Sequence, residues 1–329
     1  YHLVNILIHI LSVILWFFLV REFLHIEPFK NRSLLKTLPL VCSIIHLANP
    51  LNVQAVTYIS SRSSLLATFF YLLSFYIFLK ILKPVKEEAY NLRIPILVSG
   101  LLLILFLGIA SKEIVASFPL IAIVYLWLAT PNKKRKILIP KLISILFLLL
   151  IFLGYRYFEQ GNLFSLKSDP TSRDTHRLLY LLSQIKVILG YYLLKLLAPL
   201  NLNFEPDIVL YSNWFHWDWI ISLTILLIAG TVIFKQQSNL IKFGALWFLI
   251  TLLPTSSFIP LKQLATEHRT YLPGLGFSLI LGWMFLNIKN FQTAAKVLFL
   301  IFILLSSTLT LNRSLDFRSE VSLWKDTSQ

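Results

Sequence analysis

The chain has 329 residues, of which 57% are hydrophobic and 14% charged, and its mean hydropathy is +0.75. That is too little charge to clothe a soluble domain of this length. The net charge of +15 sits mainly in short loops between apolar runs, which argues against a nucleic-acid surface; the single cysteine, Cys42, excludes an intrachain disulfide and a CxxC metal site.

Apolar stretches of membrane-spanning length recur at 2–21, 34–48, 63–82, 94–110, 113–130, 138–155, 178–198, 216–234, 241–257, 271–288 and 293–311. The runs are continuous and lack the ten-residue alternation of a membrane barrel, so they predict helices. Several fall short of a usual span, and tilted or incomplete crossings are expected there. The expected fold is an all-α polytopic membrane bundle of about 10 transmembrane helices with short interfacial helices between them. The opening Tyr1-His2-Leu3 enters an apolar helix directly, and the close on Trp324-Lys325-Asp326 is polar. Both ends are expected to continue into a longer protein.

Taken in chain order, the polar islands carry the functional signal, because ionisable groups are costly beside hydrocarbon. His2, Asn5 and His9 share one helical face, and hydrogen bonding within the bundle is their expected use. Asn49-Pro50 through Arg62 holds Gln54 and Tyr58. The spacing of Val53, Val56 and Ile59 predicts a short interfacial helix, with Arg62 capping the next span from the headgroup side. Ser111-Lys112-Glu113 divides two apolar runs with almost no loop. Its lysine either meets a lipid phosphate or is neutralised by its neighbour in a simple turn.

The segment 178–198 contains Lys186 and Lys195, so it is expected to lie at the interface or re-enter, with the lysine stems snorkelling. Trp214, His216, Trp217, Asp218 and Trp219 make an aromatic helix start suited to interface anchoring, with Asp218 a weak acid–base candidate. Between Pro254 and Pro260 no regular helix can run throughout. Beyond it stands Glu267-His268-Arg269-Thr270-Tyr271-Leu272-Pro273. Arg269 is the candidate for a phosphate, since a guanidinium makes bidentate charge-assisted bonds. Glu267 would orient it or bind a sugar hydroxyl; the alternative is an ordinary charged cap before the next helix.

The loop charges give a topology. With Tyr1 outside and 178–198 not crossing, the inner face receives Lys30, Arg32, Lys80, Lys83, Lys86, Lys133-Lys134-Arg135-Lys136, Lys235 and Lys289. The islands 49–62, 111–113, 156–177, 199–215 and 255–270 then share the outer, extracytoplasmic face, and a plasma (inner) membrane is the expected location. No GxGxxG, P-loop, HExxH or GxSxG is present, and no cluster here requires a metal.

These residues resemble the membrane region of tetratricopeptide-containing O-mannosyltransferase-like proteins, in the GT-C class of lipid-linked-sugar glycosyltransferases. The resemblance runs over essentially the whole chain. It is carried by Tyr1 to Asn5 with His9, by Pro50, Ala55-Val56, Arg62 and Leu65-Leu66, and by Ser111-Lys112-Glu113 with Pro119 and Tyr125. Its strongest part is Trp247-Phe248 through Leu253-Pro254 to Glu267–Pro273, with Gly276-Phe277 beyond. Asn49 and Gln54 stand where the family commonly has histidine and glutamate, and Ser64 where an acid often follows the arginine. The resemblance implies a GT-C-like domain over 1–312, with the first helix and first outer loop ahead of Tyr1. Residues 313–329, with Arg313, Glu320 and Leu323-Trp324, would be a junction to tetratricopeptide repeats.

It further implies an inverting transfer of a sugar, mannose among the candidates, from a polyprenyl phosphate to a protein Ser/Thr or other hydroxyl. The key acidic residue would precede Tyr1, with Glu267 and His268 in support. Arg269, Lys112, Arg62 and Lys195 would bind the lipid phosphate, and Glu113, Asn5, His2 and Gln54 would orient the others. The implied partners are membrane lipids, the lipid-linked sugar and a protein or glycan acceptor; a divalent metal would be compatible with this chemistry. A lipid-linked-glycan flippase and a membrane scaffold for the repeats are the rival readings.

Overall fold

The computed structural model describes residues 2–26, 29–31, 33–83, 87–129, 139–140, 143, 177–236, 238–256, 260–261, 263–287 and 292–327. Among these residues the chain is all-helical, without a strand. In order come α1 (His2–His25), α2 (Leu38–Leu47), α3 (Asn52–Thr57), α4 (Arg62–Leu82) and α5 (Glu87–Ser111). A tight turn over Glu113–Ser117 leads into α6 (Phe118–Ala129). Next is α7, Arg177–Leu197, which widens into a π turn over Ile188–Leu193. Then follow α8 (Trp217–Lys235), α9 (Asn239–Leu252), α10 (Pro273–Asn287), α11 (Gln292–Asp316) and α12 (Glu320–Thr327).

Among the described residues six helices are long and apolar enough to cross a bilayer: His2–His25, Ile59–Leu82, Arg93–Ser111, Arg177–Leu197, Trp217–Lys235 and Lys296–Asp316. Between them lie shorter apolar helices at Leu38–Leu47, Glu113–Ala129, Asn239–Leu252 and Pro273–Asn287. The protein is an all-α polytopic membrane bundle. The anticipated span 138–155 lies largely outside the described residues. So do the 133–136 cation cluster, Arg32, Lys86, Lys289 and the island 156–177 up to its last residue.

Leucine side chains gain nothing by leaving lipid for each other, so shape and polar bonds must choose the helix partners. The centre is an aromatic stack of Trp16, Phe23, Phe75, Tyr125, Phe243 and Trp247, mostly edge-on or tilted. The Trp16 indole donates to Ser278 Oγ at 3.1 Å, and that of Trp247 to the Leu272 carbonyl at 3.0 Å. Where α9 meets α10, Gly244 and Gly276 let the backbones touch: a Cβ on Gly244 would lie 2.8 Å from the Gly276 carbonyl. The outer helices present leucine and isoleucine outward, and α8 buries little beyond Ser222. Trp214, Phe215 and Trp217 stand exposed where α8 begins, as interface anchors would.

Segment 178–198 forms a single helix, α7, which packs against Phe248, Leu252 and Phe277 and runs beside the loop ahead of α10. Gln184 donates to the Leu264 carbonyl at 2.9 Å, the Thr266 amide lies 3.5 Å from the Tyr192 hydroxyl, and Leu196 lies against Gly274. Thirteen residues of helix, Gln184 to Leu196, thus run along 264–274. Lys186 pairs with Asp218 at 2.9 Å in the first turn of α8, which engages the carboxylate suggested as an acid or base.

Candidate functional site

The islands 49–62, 111–113, 199–215 and 255–270 meet at one end of the bundle, where α4 and α10 begin and α5 and α11 finish. Gln54, buried on α3, joins three of them. Its amide nitrogen donates to the Phe204 carbonyl at 3.2 Å and its oxygen accepts from the His268 amide at 2.7 Å. Only a side chain with both a donor and an acceptor can make this bridge. The Asn5 amide works in the same way. It donates to the Val56 carbonyl at 3.0 Å and accepts from Arg62 Nε at 2.9 Å, tying α1 to the start of α4.

Lys112 and Arg269 come together here. Lys112 is an extended residue between α5 and the Glu113 turn, and its ammonium donates to Ser64 Oγ at 2.8 Å. With Arg269, Thr68, Thr255 and His268 it lines a pocket of about 10 Å³, room for one water. Burial lowers the Lys112 ammonium to about 8; Glu113 beside it opposes that shift and Arg269 adds to it. Burial, and then the charges of Lys112 and Arg269, hold His268 well below its ordinary value, so its imidazole is neutral. Arg269 is itself shaped by its loop, donating to the Leu264 carbonyl at 3.1 Å and the Gln263 carbonyl at 2.8 Å.

The other expected site residues fall elsewhere. The Glu267 carboxylate is fully buried, 3.2 Å from Arg313 Nη2, and Arg313 also reaches Asp316 at 3.1 Å. Arg62 lies on α1 through Asn5, and Lys195 turns onto the carbonyls of Leu200 and Asn201 beyond its own helix. Neither lines the small pocket. Glu113 opens the turn after Lys112, where its charge suits the helix start. His2 is exposed, whereas Asn5 and His9 on the same stripe are buried, with His9 Nδ1 2.6 Å from the Tyr271 hydroxyl.

Beside the small pocket opens a cavity of about 360 Å³ lined by Gln54, Tyr58, Phe204, Glu205, Gln263, His268 and Trp324 among others. Glu205 accepts from the Gln263 amide at 2.9 Å. Glu205 and Gln263 escape sequence reasoning, because nothing in an ordinary loop marks a carboxylate 58 residues from its partner. Arg313 carried a signal that pointed elsewhere: it is the basic residue ending an apolar helix. Among the described residues no group of three or more His, Cys, Asp or Glu could hold a metal.

No family model and no solved structure matches this chain. It is 25% identical, over 333 aligned positions, to Protein O-mannosyl-transferase F38B6.6 of Caenorhabditis elegans. The alignment covers 98% of this chain and 44% of that protein, so the chain spans less than half of its relative's length. The chain is thus a membrane protein distantly related to an O-mannosyl-transferase.

Proposed function

We propose that this chain is the membrane part of a glycosyltransferase that takes a sugar, mannose by the relative's name, from a polyprenyl phosphate. The observation that carries the reading is the pairing of Lys112 with Arg269 at one pocket, at the end of a membrane bundle. Two cations there suit a lipid phosphate whose tail lies between helices, although the pocket has room for one water and the phosphate must displace the side chains around it to reach them; α7 along the same loop offers a wall for the tail. This end of the bundle is proposed to face the extracytoplasmic side of the plasma membrane.

In the reaction an acceptor hydroxyl attacks the anomeric carbon with inversion. The new carbon–oxygen bond forms as the bond to the phosphate oxygen breaks, with its electron pair leaving on the phosphate. The hydroxyl proton passes to a carboxylate base, which the resemblance puts ahead of Tyr1. The donor is a phosphodiester of charge −1, while the departing monoester approaches −2. Lys112 and Arg269 therefore bind the leaving group more tightly than the donor, which is the condition for lowering the barrier. Neutral His268 and Gln54 position the groups around the sugar, and Arg62, Lys195, Glu113, Asn5 and His2 are supporting residues at greater remove. The acceptor is a protein Ser/Thr or another hydroxyl.

The test is sugar transfer by the full-length protein in nanodiscs, supplied with radiolabelled polyprenyl-phosphate mannose and a panel of other lipid-linked sugars. Transfer or donor hydrolysis that collapses in Arg269→Ala and Lys112→Ala supports the enzyme. Folded protein that binds lipid phosphate yet turns over no donor would overturn it in favour of a flippase or a scaffold.

A further inference from the structure

The cavity of about 360 Å³ beside the cation pair has a different chemistry from the small pocket. Its charged wall is the half-buried carboxylate of Glu205 rather than a cation, so it suits a neutral hydroxyl-bearing group and repels a phosphate. Polar contacts come from Gln54, Gln263 and His268, each with hydrogen-bonding capacity. Three aromatic rings complete the lining: Tyr58 and Trp324 at the exposed rim, 38% and 53% exposed, and Phe204 within. Phe204 is held edge-on by Tyr58 at 5.0 Å and by Trp324 at 5.9 Å. Aromatic faces for C–H groups, with amide and carboxylate edges for hydroxyls, fit a pyranose ring. The volume is at the low end of the roughly 300–1,000 Å³ of ligand sites, which suits one ring rather than a glycan chain.

The two compartments adjoin, since His268 lines both. A molecule carrying an anion next to a neutral ring would place the anion at Lys112 and Arg269 and the ring at Glu205. We propose that this cavity is the subsite for the sugar of the lipid-linked donor, with Glu205 accepting hydrogen bonds from ring hydroxyls and Trp324 and Tyr58 packing on the ring face. The proposal rests on the phosphate reading given above and adds where the sugar goes. The backbone carrying the carboxylate is held by the Glu205 amide donating to Asn203 Oδ1 at 3.0 Å and by Gln54 on the Phe204 carbonyl, and the carboxylate itself accepts from the Gln263 amide at 2.9 Å.

The experiment compares the affinity of the full-length protein in nanodiscs for a bare, sugar-free lipid, polyprenyl methyl phosphate, whose single charge matches that of the donor, and for polyprenyl phosphate bearing mannose, glucose or N-acetylglucosamine. Wild type should bind the best of the glycosylated lipids roughly tenfold more tightly than the bare one, the worth of a hydrogen bond to a charged group. Glu205→Gln and Trp324→Leu should each cut that preference to about twofold or less while leaving bare-lipid affinity unchanged, which also reports that the variant is folded. Trp324→Leu, at the rim, supplies the reading should Glu205→Gln lose its fold. Bare lipid phosphate that fails to bind wild type would bring down the phosphate reading and the subsite with it. Bare lipid that binds, with no sugar preference or with a preference surviving both substitutions, would overturn the subsite alone.

Discussion

Arg313, in the last turn of α11, places Nη2 3.2 Å from Oε1 of Glu267, and both side chains are nearly sealed from solvent at 4% and 0% exposure. The pair closes the end of the bundle over the residue that precedes His268 and Arg269. Removing one member takes away part of the other's compensation while it stays buried, with Arg313 keeping its bond to Asp316, a loss of up to about 3–5 kcal/mol, whereas replacing both with apolar groups of similar size is often near neutral. Arg313→Met and Glu267→Leu should therefore each lower the thermal midpoint in detergent by several degrees. The double variant should recover most of that loss. A double variant as unstable as the sum of the two singles would show that the two residues do not act as a pair.

The position of Lys112 gives a pH dependence. Its ammonium binds an anion only while protonated, and its folded-state value is lowered to about 8, by burial before all else. Affinity for polyprenyl phosphate should hold from pH 7 to about 8 and then fall roughly ten- to hundredfold as the charge is lost. This window lies above the second ionisation of the phosphate at about 6. His268 is held neutral throughout and contributes no break there. Lys112→Arg keeps its charge, so equilibrium binding by that variant should stay level to pH 10. An identical fall in the arginine variant would assign the titration to another group.

The all-helical membrane character and the two cations that line the small pocket are legible in the sequence, and for a physical reason. Hydropathy is a local property, and a charge at the end of an apolar run is conspicuous, which exposes Lys112 and Arg269. The partners are not legible, because they depend on which loops converge. Glu267 and Arg313 are 46 residues apart, and Gln54 and His268 are 214 apart. Neither spacing is written in any helical period. His2 shows the converse: it shares a face with Asn5 and His9, yet at the first turn that face has already left the bundle and the side chain is exposed.

Gln54 is the hinge pin between the loop carrying Glu205 and the turn carrying Arg269. Gln54→Glu keeps the size and the acceptor but removes the donor, leaving the Phe204 carbonyl unsatisfied at a cost of about 1–3 kcal/mol. Hydrogen exchange across 203–211 should speed up in this variant, while exchange in the helices of the central aromatic stack stays as in wild type. Unchanged exchange at 203–211 would mean that the loop is held by its other contacts, among them the Tyr211 amide donating to Ser183 Oγ at 3.1 Å.

Gly276 fixes how closely α9 and α10 approach, and so where the Glu267–Thr270 turn just ahead of α10 sits. A Cβ there would run into the Gly244 carbonyl and lie 2.9 Å from Cδ1 of Trp247. Backbone cannot yield as a flexible side chain can, so Gly276→Ala should cost about 1–3 kcal/mol and push the two helices apart. Gly230, on the outward-facing α8, has open space at the same position, so Gly230→Ala should be neutral or up to about 1 kcal/mol stabilising through helix propensity alone. The two variants, compared by thermal unfolding in one detergent, separate close approach from backbone flexibility. Equal shifts in both would mean that the contact between α9 and α10 does not govern the packing. A loss at Gly276 alone should also weaken lipid-phosphate binding, since the Trp247 indole that anchors the Leu272 carbonyl would be displaced with it.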